Sequence, residues 1–130
     1  GYHISSGHAD GHGVQLAFDE DPETYWESDC KNCGELQAWL GISVHRNSRP
    51  VRCVQIHQSR TLAHGAGRVS VQGLAPGAGA WTEAGAFEPL SFGAWDHFHM
   101  PAPLQLALGE SAEASPPGSL WRLAATAPVA

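Results

Sequence analysis

The chain has 130 residues, a formal net charge of −6, 42% hydrophobic and 15% charged residues, 15 Gly and 9 Pro. That length suits one domain with its own core, and the composition is too apolar for a disordered chain and too rich in turn formers for a helix bundle. The charge is uneven: Asp10 to Glu35 holds eight acidic residues against Lys31 alone, whereas Leu36 to Thr82 holds five arginines and no carboxylate. Arginines so scattered in an acidic chain make no dense basic stripe, so nucleic acid is not an expected partner. No apolar run approaches the roughly 20 residues that cross a bilayer, and the N-terminus lacks a signal-peptide pattern, so no transmembrane segment is expected. The sequence opens on Gly1 without an initiator Met and reads as a single domain, residues 1–130, taken from a longer or processed protein.

In chain order, the first third is a loop-rich stretch holding His3, His8 and His12 among glycines, then the acidic run Asp19-Glu20-Asp21-Pro22-Glu23. Leu36-Gln37-Ala38-Trp39-Leu40 alternates as a half-buried strand, with Leu36, Ala38 and Leu40 on one face and Gln37 and Trp39 on the other. After Pro50, Val54 and Ile56 alternate with Cys53, Gln55 and His57, and a third strand runs through Val69 and Val71 to Gly73. Residues 73–80 form a turn-rich connector to Trp81, and Phe87 belongs to the next strand. Phe98 and Met100, the alternating Leu104, Leu106 and Leu108, an exposed loop from Gly109 to Gly118 and a last strand over Leu120 to Ala124 complete the pattern. Short strands bounded by turn residues, without a long helical period, predict an all-β antiparallel sandwich or barrel.

Three cysteines cannot all pair within one chain, which leaves the redox compartment open. Cys30, Cys33, Cys53 and His57 have the ligand types of a zinc site. Residues four apart on a strand, however, lie about 13 Å apart, so Cys53 and His57 do not reach one ion unless the strand bulges. A Cys30–Cys53 or Cys33–Cys53 disulfide, or free thiols, is expected in place of zinc. His8, Asp10 and His12 offer ligands to a metal or polar molecule, against the plainer reading of solvated loop residues. No G-x-S-x-G, P-loop or H-E-x-x-H motif occurs, so an enzyme is not expected.

Ile4-Ser5-Ser6 followed by Leu16-Ala17-Phe18-Asp19-Glu20-Asp21-Pro22-Glu23-Thr24-Tyr25-Trp26 resembles the discoidin, or coagulation-factor type C, pattern: an Ala-Ser-Ser strand before an Ala-x-Asp-Gly-Asp-x-x-Thr-x-Trp turn. Leu36 to Gly41, Val54 with Ile56, Val69 to Val71 with Trp81, and Trp121-Arg122-Leu123 follow in the family's order. Glu35 stands where the family has Trp, Trp39 stands where it has Asp, and its terminal disulfide has no counterpart.

The resemblance implies a galactose-binding-like jelly-roll sandwich whose end loops bind glycans, lipid head groups or proteins, without catalysis. It places His8, Asp10 and His12 in the first ligand-facing loop and Arg60 where the family often has an arginine; His64 and Trp95, the latter read in a loop over residues 92–97, join them in a candidate ligand face, because indoles stack on sugar rings and arginine donates to hydroxyls or carboxylates. It also implies a calcium ion held by Asp19, the carbonyls of Leu16 and Asp21 and the hydroxyl of Thr24; the family's late acidic ligand is either Glu110 or Glu113 here, or is missing. The same Asp19 and Thr24 also suit a turn in which they bond only backbone groups. A typical member is extracellular or on the cell surface and serves recognition or adhesion. The departures point instead to an interaction module docked in a larger, intracellular assembly. Trp26, Trp39, Trp81 and Trp121 are expected to pack in the core or on sheet faces.

Overall fold

The computed structural model describes residues 3–30, 33–43, 53–60, 65–100 and 119–128. Among these residues seven strands are formed: β1 (His3–Ser5), β2 (Trp39–Ser43), β3 (Cys53–His57), β4 (Ala66–Leu74), β5 (Thr82–Phe87), β6 (Trp95–His99) and β7 (Leu120–Pro128). Among the described residues the only helical element is a 3-10 turn, Val14–Ala17, and no helix is long and apolar enough to cross a membrane. The strands build two antiparallel sheets, one of five in the order β1-β2-β7-β4-β5 and one pairing β3 with β6. The all-β antiparallel architecture expected from the alternation is therefore the one observed.

The sheets meet through the apolar residues that period-2 alternation puts on one face. Val71 of β4 and Trp121 of β7 form a buried cluster with Met100, against which Val54 of β3, Phe87 of β5 and Leu123 of β7 pack. Phe87 also stacks on Phe98 of β6, with centroids 4.7 Å apart. Trp121 reaches its place because Gly73 faces it across the β4–β7 pair; a Cβ there would come within 2.6 Å of the indole.

On the opposite face of the same sheet, Arg122 is held between the rings of Trp39 and Trp81, at 5.3 and 4.2 Å from their centroids. Its Nε donates to Gln72 Oε1 at 2.7 Å, Gln72 Nε2 donates to Ser70 Oγ at 3.2 Å, and Ser70 Oγ donates to Glu83 at 2.6 Å. Burial under the indoles lowers the Arg122 pKa below the usual arginine value. Trp26 is half-buried, its indole N–H donating to the Gly7 carbonyl at 3.0 Å. Trp121 in the core and Trp39 with Trp81 on the outer sheet face thus pack as expected.

Two expectations need correction. The strand read at Leu36–Leu40 is displaced toward the C-terminus, because Leu36 adopts a left-handed φ of 62° in a turn where Gln37 Oε1 accepts from the Gly34 N–H. Before β2, the Leu36 N–H donates to the Ala125 carbonyl and the Ala125 N–H to the Ala38 carbonyl, so this turn still docks on β7. Trp95, read as a loop residue, is the first residue of β6 and pairs with His57, because the connection before it is closed by Ser91 and Asp96.

Replacing Trp121 by Ala removes the largest side chain of the central cluster and should cost about 3–5 kcal/mol, whereas Trp95→Ala at an exposed position should change stability by about 0.5 kcal/mol or less. Chemical denaturation of the two variants measures both, and equal losses would show that the core is not centred on Trp121.

Candidate functional site

Strand connectivity decides where the candidate residues lie. The connections β1–β2, β3–β4 and β5–β6 all turn at the end of the sandwich where Ser5 and Leu40, Ala66 and Pro128, and His57 and Trp95 are register partners. Arg60 on the second connection and Trp95 just after the third therefore share one end, whereas His8, Asp10 and His12 lie on the long first connection, whose Phe18 returns to stack on His3. His64, Glu110 and Glu113 lie outside the described residues.

The second and third connections are tied together by Gln58. Its amide donates to the carbonyls of Ala66 (2.9 Å) and Ser91 (3.3 Å), while its Oε1 accepts from the Ala66 N–H at 2.7 Å. The Gly93 N–H donates to the Gln58 carbonyl at 2.8 Å. Asp96 closes the turn before β6, accepting from both the N–H and the hydroxyl of Ser91 at 2.7 Å. This scaffold brings Arg60 beside the Trp95 turn. The arginine stem lies over Gly93, where a Cβ would come within 2.6 Å of its Cγ. The Arg60 guanidinium makes no ion pair among the described residues, and Trp95 is 46% exposed with the His57 ring edge-on at 5.3 Å. An exposed indole and a free fork of donors on one rigid end suit a polar ligand carrying an apolar face.

The first connection behaves differently. His8 and Asp10 face solvent, but His12 stacks on Tyr25 at 4.3 Å and its Nδ1, in the protonated tautomer, donates to the Tyr25 carbonyl at 3.3 Å. The Ala9 N–H donates to Glu27 and the Glu27 N–H to His12, which holds the glycine-rich loop against residues 25–27. Among the described residues no three His, Cys, Asp or Glu side chains converge on one point, so His8, Asp10 and His12 are near in sequence but do not form one cluster.

At the acidic turn, Asp19 accepts from the Thr24 hydroxyl and from the Asp21 N–H (3.0 Å), Asp21 accepts from the Glu23 N–H (2.9 Å), and Thr24 Oγ1 lies 3.1 Å from the Asp21 carbonyl. The Leu16 N–H donates to Gly13 within the 3-10 turn just before. Oxygens of Asp19, Asp21 and Thr24 therefore meet at one exposed point, and each carboxylate also caps backbone N–H groups. The hydrogen bonds to Thr24 and Asp21 lower the Asp19 pKa below its ordinary value of 3.8.

The cysteine pairing differs from expectation. Cys30 and Cys33 are joined to each other with a Cα–Cα distance of 5.5 Å, inside the range a disulfide accepts, so two residues between them suffice. Ser28 Oγ lies 3.3 and 3.5 Å from their sulfurs. Cys53 is a free, exposed thiol on β3. The Cys30, Cys33, Cys53 and His57 ligand set thus has two of its thiolates consumed.

Sequence reasoning missed Gln58 and Asp96. Gln58 stands in no spacing that marks it, because Ser91 is 33 residues away; Asp96 bonds Ser91 five residues before it, a local turn contact that no motif marks.

Because the Asp19 carboxylate is stabilised in the folded chain, its contribution to the turn is present above about pH 4 and is lost as the pH falls through its lowered pKa. In an NMR titration the Asp19 carboxyl should protonate below 3.8, and Thr24→Val should move it up toward that value; an unchanged midpoint in the variant would remove the hydroxyl as the cause. No protein-family model matches the chain, and no curated protein matches it.

Proposed function

We propose that this domain is a discoidin-like recognition module, a galactose-binding-like jelly roll that binds a carbohydrate or other polar ligand through its end loops and catalyses no reaction. The observation that carries this reading is that Arg60 lies over Gly93, in the turn that leads into the exposed Trp95, on two connections tied together by Gln58. An indole face packs on the apolar side of a sugar ring, and a guanidinium donates to ring hydroxyls or a carboxylate. In this reading His8 and Asp10, exposed on the first connection, add polar groups to the ligand face. In the isolated domain, Trp95→Ala and Arg60→Ala should each weaken glycan retention on an array about tenfold or more. A flat array for the unmutated domain sinks the glycan reading.

Calcium at the Asp19 turn belongs to this proposal. The donor chemistry fits in part: the Asp19 carboxylate, the Asp21 carbonyl and the Thr24 hydroxyl already meet, and all are hard oxygens of the kind the ion prefers. With the Leu16 carbonyl they would hold the ion, which would rigidify the first connection and add positive charge beside it. Chelator should then lower the melting temperature, and Asp19→Ala should abolish that sensitivity. A melting temperature indifferent to chelator and added calcium removes the ion from the reading.

One observation favours a second reading, a structural interaction module docked in a larger assembly. Phe18 and Ile42 are exposed at the rim of an apolar groove of about 260 Å³ lined also by Leu40, Val54, Val71 and Leu123. Stoichiometric recovery of a protein partner from native extract, lost on Ile42→Asp, would support it; a partner-free monomer counts against it.

A further inference from the structure

The β3–β6 ribbon carries a second set of chemistry, on the face turned away from the core. Its register pairs Cys53 with His99, Gln55 with His97 and His57 with Trp95. Val54 packs into the core cluster and Phe98 stacks on Phe87, so the alternate residues of both strands point outward. Cys53, Gln55, His97 and His99 are all exposed, and Cys53 is a free thiol. A thiol and two imidazoles therefore stand together on one solvent-facing surface, although 44 to 46 residues of chain separate the cysteine from the histidines.

We propose that Cys53, His97 and His99 form a zinc site on this face, with the fourth position open to water. The spacing supports it. Directly opposed residues of an antiparallel pair have Cβ atoms about 4.5–5.5 Å apart, which applies to Cys53 and His99, and diagonal ones, as Cys53 and His97, about 7–8 Å. His97 and His99 are two residues apart on one strand, about 6.6 Å. An imidazole nitrogen stands two or three bonds beyond its Cβ, and zinc adds about 2.0–2.3 Å to nitrogen or sulfur, so an ion above this triangle is within reach of all three.

The three side chains do not converge on one point as they stand. Being exposed, they reach the ion by rotation about χ1, which is fast. The backbone beneath is held by the Phe87–Phe98 stack and by Val54 in the core, so it needs no rearrangement. His57 is excluded, because it lies four residues along the strand from Cys53 and its ring is engaged with Trp95.

The ligand chemistry selects the metal. A mixed thiolate and imidazole set suits zinc, whereas calcium and magnesium want oxygen. Binding forms a zinc–sulfur bond as Cys53 loses its thiol proton to solvent, and zinc undergoes no redox change. The site is chemically distinct from the Asp19 turn and stands whether or not the domain binds glycans.

The test uses cobalt(II) as a spectroscopic stand-in and zinc as competitor, on the full chain with its Cys30–Cys33 disulfide verified intact by mass. One equivalent of cobalt should give a thiolate-to-cobalt charge-transfer band that zinc abolishes. Cys53→Ser should remove the band, His97→Gln and His99→Gln should each weaken zinc binding at least about tenfold, and Gln55→Ala on the same face should leave it unchanged. In the unmutated protein, zinc should shift the imidazole resonances of His97 and His99 and not that of His8, a readout that no variant's folding affects. Absence of the band, its survival in Cys53→Ser, or unmoved resonances of His97 and His99 would overturn the proposal.

Discussion

The contact on which the architecture depends is the indole of Trp121 lying against Gly73, in a space that has no room for a Cβ. β7 is the central strand of the larger sheet, paired with β2 on one side and β4 on the other, so the position of its side chains sets both faces. Trp121 points into the sandwich and meets Val71 and Met100. The next residue, Arg122, points the other way into the Trp39 and Trp81 stack. A register slip of one residue would exchange an indole for a guanidinium in the core, which is costly enough to fix the pairing.

The end that carries Arg60 and Trp95 inherits its geometry from that frame. Connections that turn at one end become a surface only if something holds them relative to one another, and here a single side-chain amide does so. Gln58 uses both its donor and its acceptor capacity on backbone groups of two other segments, and Asp96 spends both oxygens on Ser91. Buried or half-buried polar groups satisfied this completely act as rigid ties. Beside these ties, Arg60 and Trp95 remain exposed.

Much of the fold was legible because alternation is a local signal. Val54 and Ile56, Val69 and Val71, and the Leu120–Ala124 segment each announce a strand and its inner face without reference to the rest of the chain. The start of β2 was not legible, because the turn at Leu36 depends on docking against Ala125, far along the sequence. The disulfide illustrates a different limit: three cysteines leave several pairings open, and only backbone geometry chooses Cys30 with Cys33. Arg60 and Trp95 were singled out individually, yet their adjacency is a property of the Gly93 turn. The grouping of Cys53 with His97 and His99 required the register of two strands remote in sequence, although the His97-Phe98-His99 alternation alone marks two imidazoles on one strand face.

The stack on the outer face has an optical consequence. The rings of Trp39 and Trp81 lie 6.1 Å apart at 51° to each other, a separation and tilt at which two indole transitions couple. Far-ultraviolet circular dichroism of this domain therefore contains an exciton contribution from two side chains superimposed on its strand signal. Its apparent secondary structure would change whenever those rings part, even with every backbone hydrogen bond in place.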